Sequence, residues 1–425
     1  MKRVLPNGDR SARASIASGS KTREARLRRA GPDGLPGGGP AGGAKPLPRA
    51  LKARPQPLPR RIVVLGAGGF IGSHLVPLLA ARAETERVDA VDLTLDKLAP
   101  GLPHVRRVQA RIDEPGLLED LTTGADVVVS LTALCNPALY NTRPLDVIDA
   151  NYTDLIPLVK LCAARGTWLV HFSTCEVYGR VALDVRGRPM ARMSEDETAL
   201  FLGPIHRERW TYAAAKQLLE RVIWAHGLHG GLRHTIVRPF NVIGPRMDFI
   251  PGVDGEGVPR VLASFMHALM AGSDLPLVDR GRQRRSFVDV GEFVEGVARI
   301  LDRPEACQGQ ILNLGNPRND VSIRALARAL AAAFRAQRPD APAVRLRNVT
   351  AEEMYGPGYD DSEVRIPSVA KAERLLGWRP RVPLADMLPG IVADYLARYE
   401  SRVGAAPPLK MKVSAMAAAG GGGAR

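Results

Sequence analysis

From Arg61 onward the chain alternates between short unbroken apolar runs and longer stretches whose apolar residues recur three and four positions apart. Arg61–Leu65 reads Arg-Ile-Val-Val-Leu, with none of the alternation of a half-exposed strand, so it predicts a parallel strand buried on both faces. Similar runs follow at Arg87–Val91, which ends in Asp92, and at Val105–Ala110, Asp126–Leu131, Thr167–Phe172 and Thr235–Val237. Between them the spacing predicts helices over Glu114–Leu121, Leu145–Arg165 and Trp210–Ala225. Strands that alternate with helices predict an α/β fold, a doubly wound parallel sheet of Rossmann type with right-handed crossovers. From Gly244 the elements shorten and Pro/Gly-rich loops separate them: helices over Pro259–Met270, Ile323–Phe334, Ser368–Leu376 and Pro383–Tyr399, and strands near Leu275 and Ile311. Residues 61–403 are therefore expected to form one folded unit whose smaller, substrate-covering region lies mainly at 244–403.

The junction after the first strand carries Gly66-Ala-Gly-Gly69-Phe70-Ile71-Gly72. In a strand-to-helix turn this spacing has a physical use. Gly66 permits the tight turn, Gly69 lets backbone approach a pyrophosphate at the helix N-terminus, and Gly72 lets helix and strand pack closely. Phe70 and Ile71 begin the helix beside them and complete the expected cofactor contacts. Asp92 follows Gly72 by 20 residues at the end of the second strand, placed to accept hydrogen bonds from an adenosine ribose. A carboxylate there repels a 2′-phosphate, which favours NAD over NADP.

The formal charge of +15 over 425 residues invites a nucleic-acid reading, but it is unevenly distributed. Residues 1–60 hold 14 Lys/Arg against 3 Asp/Glu, leaving 45 against 41 for the rest. That first stretch is rich in Gly, Pro, Ala and Arg and has no apolar periodicity, so its composition predicts a disordered basic tail. It has no secretory apolar core, and its Arg/Ser-rich start would also suit an organelle-targeting peptide. Residues 404–425 read as a second flexible tail. No segment approaches the length of a membrane span. The four cysteines, Cys135, Cys162, Cys175 and Cys307, include no CxxC pair, which argues for reduced thiols and against a disulfide framework or metal site. The expected compartment is the cytosol, and nucleic acid is not an expected partner.

The chemistry concentrates between Trp168 and Lys216. Tyr212 and Lys216 stand four apart in a helix-forming segment, so both project from one face. An ammonium beside a phenol favours the phenolate and equips Tyr212 to take a proton from an alcohol. Thr174, Cys175 and Glu176 follow a buried strand at the end where open α/β sheets bind ligands. His171, inside that strand, reads as a core histidine rather than a ligand.

These motifs, with Arg238-Pro-Phe-Asn241 in the expected order, resemble the extended short-chain dehydrogenase/reductases. Within them the chain is similar to UDP-glucuronate decarboxylases, and most to the UDP-apiose/UDP-xylose synthases, over about residues 61–400. The likeness is carried by Leu134-Cys135 through Tyr140 to Asp146, by His171-Phe-Ser-Thr-Cys175-Glu176-Val-Tyr-Gly179, and by Arg209-Trp-Thr-Tyr212 to Lys216. It continues in Gly244 to Gly252, Gly257-Val-Pro-Arg260, and the run from Tyr355 to Arg365-Ile-Pro367. Cys175, where related oxidative decarboxylases carry Ser, and Cys135 sharpen the likeness to the apiose synthases.

The resemblance implies NAD as cofactor and UDP-glucuronate as substrate. It implies that Tyr212, with Lys216 and Thr174, deprotonates the sugar C4 hydroxyl, and that Arg285 or Arg209 holds the carboxylate lost as CO2. Glu176, Cys135 and Cys175 are then candidates for moving protons during rearrangement, Tyr140 borders the sugar, and Asn241, Arg260 and Arg365 contact the UDP moiety. The products would be UDP-apiose and UDP-xylose, the alternatives a 4-keto pentose with released NADH or UDP-xylose alone. A homodimer formed through the Tyr212 helix and its neighbour is also implied. Arg111 departs from the pattern, occupying a position where relatives place Asp or Asn near the adenine.

Overall fold

The computed structural model describes residues 57–255, 258–355, 360–362 and 364–403. The expected tails lie outside the described residues apart from 57–60, as do Gly257 and part of the run between Tyr355 and Pro367. Seven strands form the central sheet: β1 (Arg61–Leu65), β2 (Arg87–Asp92), β3 (Val105–Gln109), β4 (Val127–Ser130), β5 (Trp168–Phe172), β6 (His234–Pro239) and β7 (Gln310–Leu314). They lie in the order β7-β6-β5-β4-β1-β2-β3 with every pair parallel. The chain winds outward from β1 to β3 and then returns to β4, so the order reverses between β1 and β4. A crevice opens at the carboxyl ends of the strands at such a reversal.

The longer helices, in chain order, are α1 (Phe70–Ala80), α2 (Leu117–Thr122), α3 (Pro144–Asn151), α4 (Ile156–Arg165), α5 (Thr211–Gly230), α6 (Val261–Met270), α7 (Val290–Leu301), α8 (Ile323–Gln337), α9 (Ala370–Leu376) and α10 (Leu384–Val403). Helices α1 and α7 cover one face of the sheet through Leu75, Leu79, Phe293 and Val297. Helices α2, α4 and α5 cover the other through Leu118, Leu158, Leu219 and Ile223. A second core joins α6, α8 and α10 around Phe265, Leu326, Leu330 and Ile391.

Three local outcomes differ from the sequence expectation. The helix expected over 145–165 is interrupted: α3 ends before Tyr152, whose φ of −141° is not helical, a single 3₁₀ turn follows, and α4 begins with Pro157 in its first turn. Proline lacks the N–H for an interior helical bond and clashes with the carbonyl four residues back, so it belongs at a helix start. Helix α7 had no counterpart in the expectation, although Asp289 caps it by accepting from Gly291 N at 2.8 Å and Glu292 N at 3.1 Å. The strand near Ile311 is β7, an edge of the main sheet, so the stretch after Gly244 contributes both a strand and α7 to the dinucleotide-type layer.

Candidate active site

A cavity of about 450 Å³ opens at the carboxyl end of the sheet and is lined from both cores. Its floor is the glycine turn. Gly66 has φ of +87°, and a Cβ there would lie 3.0 Å from the backbone of Leu131 and Thr132. A Cβ on Gly72 would stand 2.2 Å from Gly66 O, whereas one on Gly69 would meet only that oxygen, at 3.4 Å. The first and third glycines are therefore sterically compelled, and the second leaves its backbone bare toward the cavity, as a pyrophosphate requires. Phe70 and Ile71 line the same floor. Asp92, at the end of β2, accepts from Gly68 N at 2.9 Å and Leu93 N at 2.7 Å. Burial raises its carboxyl above the ordinary value, and those backbone bonds oppose the shift. Turn and carboxylate fit the phosphates and ribose of NAD. Arg111 lies just beyond β3, with its guanidinium paired to Asp113 at 2.9 Å.

The end of β5 supplies the next layer. Thr174 caps a 3₁₀ turn, Cys175–Tyr178, by accepting from Glu176 N at 3.2 Å. Tyr212 stands in the first turn of α5, with Lys216 one turn on. Lys216 is 1% exposed, and its Nζ donates to Phe172 O at 3.0 Å. Burial lowers its pKa to about 8, although Cys135 and Glu220 oppose this. Tyr212 is buried and stacks on Tyr140 with ring centres 5.2 Å apart and planes 10° from parallel. The expected lowering of the phenol does not occur: burial pushes it well above its ordinary value, Cys135 and Glu176 add to the shift, and a hydrogen bond with Thr174 opposes it. Desolvation of a buried phenolate outweighs the help of nearby donors. His171 is buried, its basicity depressed by burial and then by Lys216, and its Nε2 has no hydrogen-bond partner among the described residues.

The cavity's far wall is a charged cluster. Arg209, 2% exposed, grips Glu176 with Nη1–Oε2 of 2.6 Å and Nη2–Oε1 of 3.0 Å. Its guanidinium also sits 5.3 Å from the Tyr140 ring centre. Arg285 and Arg365 are register partners on two short parallel strands. Asp361 lies between them, accepting from Arg285 at 2.6 Å, Arg365 at 2.8 Å and Arg209 at 3.4 Å, while Arg365 also reaches Glu176 at 3.2 Å. Burial works against ionising Glu176 and Asp361, but the arginines outweigh it and hold both carboxyls below the ordinary range. Three guanidinium groups thus face two carboxylates. Cys175 is buried, and burial raises its thiol above the ordinary value while Arg365 opposes the shift. Cys135 is exposed and lines the same cavity. Asn241, with φ of +33°, donates to Ser286 O at 3.1 Å, and Arg260, at the N-terminus of α6, donates from Nε to Asp248 at 3.1 Å.

The cavity brings together Gly66, Gly69, Phe70, Ile71, Gly72, Cys135, Tyr140, Thr174, Cys175, Glu176, Arg209, Tyr212, Asn241, Arg260, Arg285 and Arg365. Lys216 and Asp92 stand behind its surface and act on it through Phe172 O and Gly68 N. Asp361, in the run between Tyr355 and Pro367, has no role in the sequence expectation. The signal available in sequence was an acidic residue four positions before Arg365.

A parallel sheet with a glycine turn at its first strand, and a Tyr-x-x-x-Lys helix over the same cavity, define a Rossmann-type dehydrogenase/reductase. The chain belongs to the NAD dependent epimerase/dehydratase family, whose model matches residues 62–315. It is 44% identical to a UDP-D-apiose/UDP-D-xylose synthase of Oryza sativa subsp. japonica over 78% of this chain and 87% of that protein. It is 42% identical to UDP-D-apiose/UDP-D-xylose synthase 1 of Arabidopsis thaliana over 78% of this chain and 90% of that one. Among solved structures it resembles the PbgP3 protein from Burkholderia pseudomallei, with TM-score 0.69 and 30% identity over 81% of this chain and 98% of that one. Among the described residues no helix is long and apolar enough to cross a membrane.

Proposed function

We propose that this enzyme decarboxylates UDP-glucuronate and converts the product to UDP-apiose, with UDP-xylose alongside it. The observation that carries the reading is the pairing of an alcohol-oxidising dyad with an arginine cluster in one cavity. NAD, when bound, supplies a reversible hydride acceptor. Tyr212 takes the proton of the sugar C4 hydroxyl once the positive charge of bound NAD offsets the burial that raises its phenol, with Thr174 as its hydrogen-bond partner. Oxidation at C4 leaves the C6 carboxylate β to a carbonyl, so CO2 departs with its electrons delocalised into an enolate. The excess cation of the Arg209–Arg285–Arg365 cluster attracts that carboxylate before it leaves. Cys175 and Glu176 share the turn beside Tyr212 and carry the protons needed for retro-aldol opening between C2 and C3 and for reclosure. Asn241 and Arg260 border the cavity where the UDP moiety is held.

The catalytic unit spans 61–403, with 244–403 supplying most of the substrate wall and 1–60 dispensable for turnover. Two copies pair through α3 and α5, a reading supported by the exposed Leu145 and Leu218 on these neighbouring helices. The working compartment is the cytosol. Proton NMR of UDP-glucuronate incubated with catalytic NAD tests the activity: a branched pentose in excess of the NAD with little net NADH supports it, and a 4-keto pentose formed mole for mole with NADH, stopping when the NAD is spent, rejects it. Deleting residues 1–58 should leave that product spectrum unchanged.

A further inference from the structure

Behind the cavity wall formed by Cys175 and Glu176 lies a buried polar chain, Glu220, Arg238, Tyr178 and Asn313, none of whose residues lines the cavity itself. Glu220 stands one turn beyond Lys216 on α5, and Arg238 lies on β6. They form a bidentate pair, Nε–Oε1 at 2.9 Å and Nη2–Oε2 at 2.6 Å, with side chains 3% and 5% exposed. The Arg238 guanidinium lies 4.7 Å from the ring centre of Tyr178, the last residue of the turn. Tyr178 donates from its hydroxyl to Asn313 Oδ1 on β7 at 2.8 Å. Asn313 Nδ2 donates onward to Met193 O at 3.0 Å and Ser368 O at 3.4 Å, the latter three residues after Arg365. Gln217 on α5 also donates to Val177 O at 3.3 Å, tying the same turn to the same helix.

A buried ion pair is weak support for stability, because desolvation of both charges offsets their attraction and apolar replacements often do as well. What such a pair does supply is a fixed register. Here it locks the helix bearing Tyr212 and Lys216 to the strand beside the turn bearing Cys175 and Glu176, and Asn313 extends the lock to the segment after Arg365. We propose that Tyr178, held between the Arg238–Glu220 pair and Asn313, is a positioning residue that fixes the Cys175–Glu176 turn against Tyr212 and thereby sets the partition between branched and unbranched products. This rests on the UDP-glucuronate reading above. The branched product needs extra proton transfers at the turn while a carbon–carbon bond opens and recloses, whereas direct re-reduction to the unbranched sugar does not. Loosening the turn therefore penalises branching more than turnover.

The test uses the full chain with Tyr178→Phe, which keeps the ring over Arg238 and deletes only the hydroxyl. Glu220→Gln, which keeps the shape and removes the charge, is the second variant. Product ratio by NMR, kcat, KM and thermal midpoint are measured on UDP-glucuronate with NAD. The expectation for Tyr178→Phe is kcat lower by about tenfold, KM within about twofold, and a branched-to-unbranched ratio lower by about threefold or more. Glu220→Gln should shift the ratio in the same direction. A wild-type ratio in Tyr178→Phe, whatever its thermal midpoint, overturns the proposal and leaves the assigned reaction standing. Absence of any pentose from the unmodified enzyme overturns both.

Discussion

Around Gly66 the site is made of backbone, and around Glu176 it is made of charge. The glycine turn presents N–H groups and bare Cα atoms that come from seven consecutive residues, with the Asp92 carboxylate accepting from Gly68 N. The opposite wall is five ionised side chains drawn from the 3₁₀ turn after β5, the 3₁₀ turn just before α5, two short strands after α6 and, for Asp361, the segment leading into the second of those strands. One region recognises a ligand through shape and dipoles that cost little to bury. The other keeps three cations ready for an anion only because two protein carboxylates neutralise most of their charge. Substitutions should therefore cost binding in the first region, and both stability and turnover in the second.

The largest effect is expected between the two regions, at Tyr212. Replacing it with Phe preserves the stack on Tyr140 and removes the oxygen proposed to take the C4 proton, so kcat should fall by about 10³-fold with substrate affinity unchanged. Turnover by NMR with affinity by calorimetry checks this. A variant that keeps a tenth of wild-type kcat would assign the proton to another group.

Arg209→Met strips Glu176 of its bidentate partner and leaves a largely buried carboxylate. Urea unfolding should show a loss of about 3–5 kcal/mol, and adding Glu176→Gln should restore part of it. The glycine turn should respond less: Gly72→Ala forces a Cβ to within 2.2 Å of Gly66 O. The strain should cost about 1–3 kcal/mol and weaken the thermal stabilisation that added NAD provides.

The same contrast explains what could be read from sequence. The glycine turn, Asp92, the Tyr-x-x-x-Lys pair and six of the sheet strands are local patterns in which spacing alone dictates geometry. The charged wall is not local. Arg285 and Arg365 meet only because a three-stranded sheet of short segments sets them in register, and Asp361 acquires its role only once three arginines converge on it. Helix α7 was readable in principle from its Asp289 cap, but it sits among Pro/Gly-rich loops that suggested a separate region. The phenol's basicity is not legible in sequence, because a four-residue spacing says nothing of desolvation and burial is the larger influence on Tyr212.

The smallest effect, and the sharpest form of the comparison, lies in two carboxylates that respond to acid in opposite directions. Glu176 is held below its ordinary value of 4.5, so in the unfolded chain it takes up a proton first as pH falls. Its stabilisation is full above about that pH and is lost as pH drops toward the folded value. Asp92 is raised above 3.8 chiefly by burial, so the folded state holds its proton longer. Its contribution is greatest at low pH and declines as pH rises through the raised value. Unfolding free energies measured by urea from pH 3 to 7 for Glu176→Gln and Asp92→Asn, each subtracted from the parent, should slope in opposite directions. Parallel slopes would mean that the charged wall does not hold its carboxylates ionised, and the division between a site built of backbone and one built of charge would fail with it.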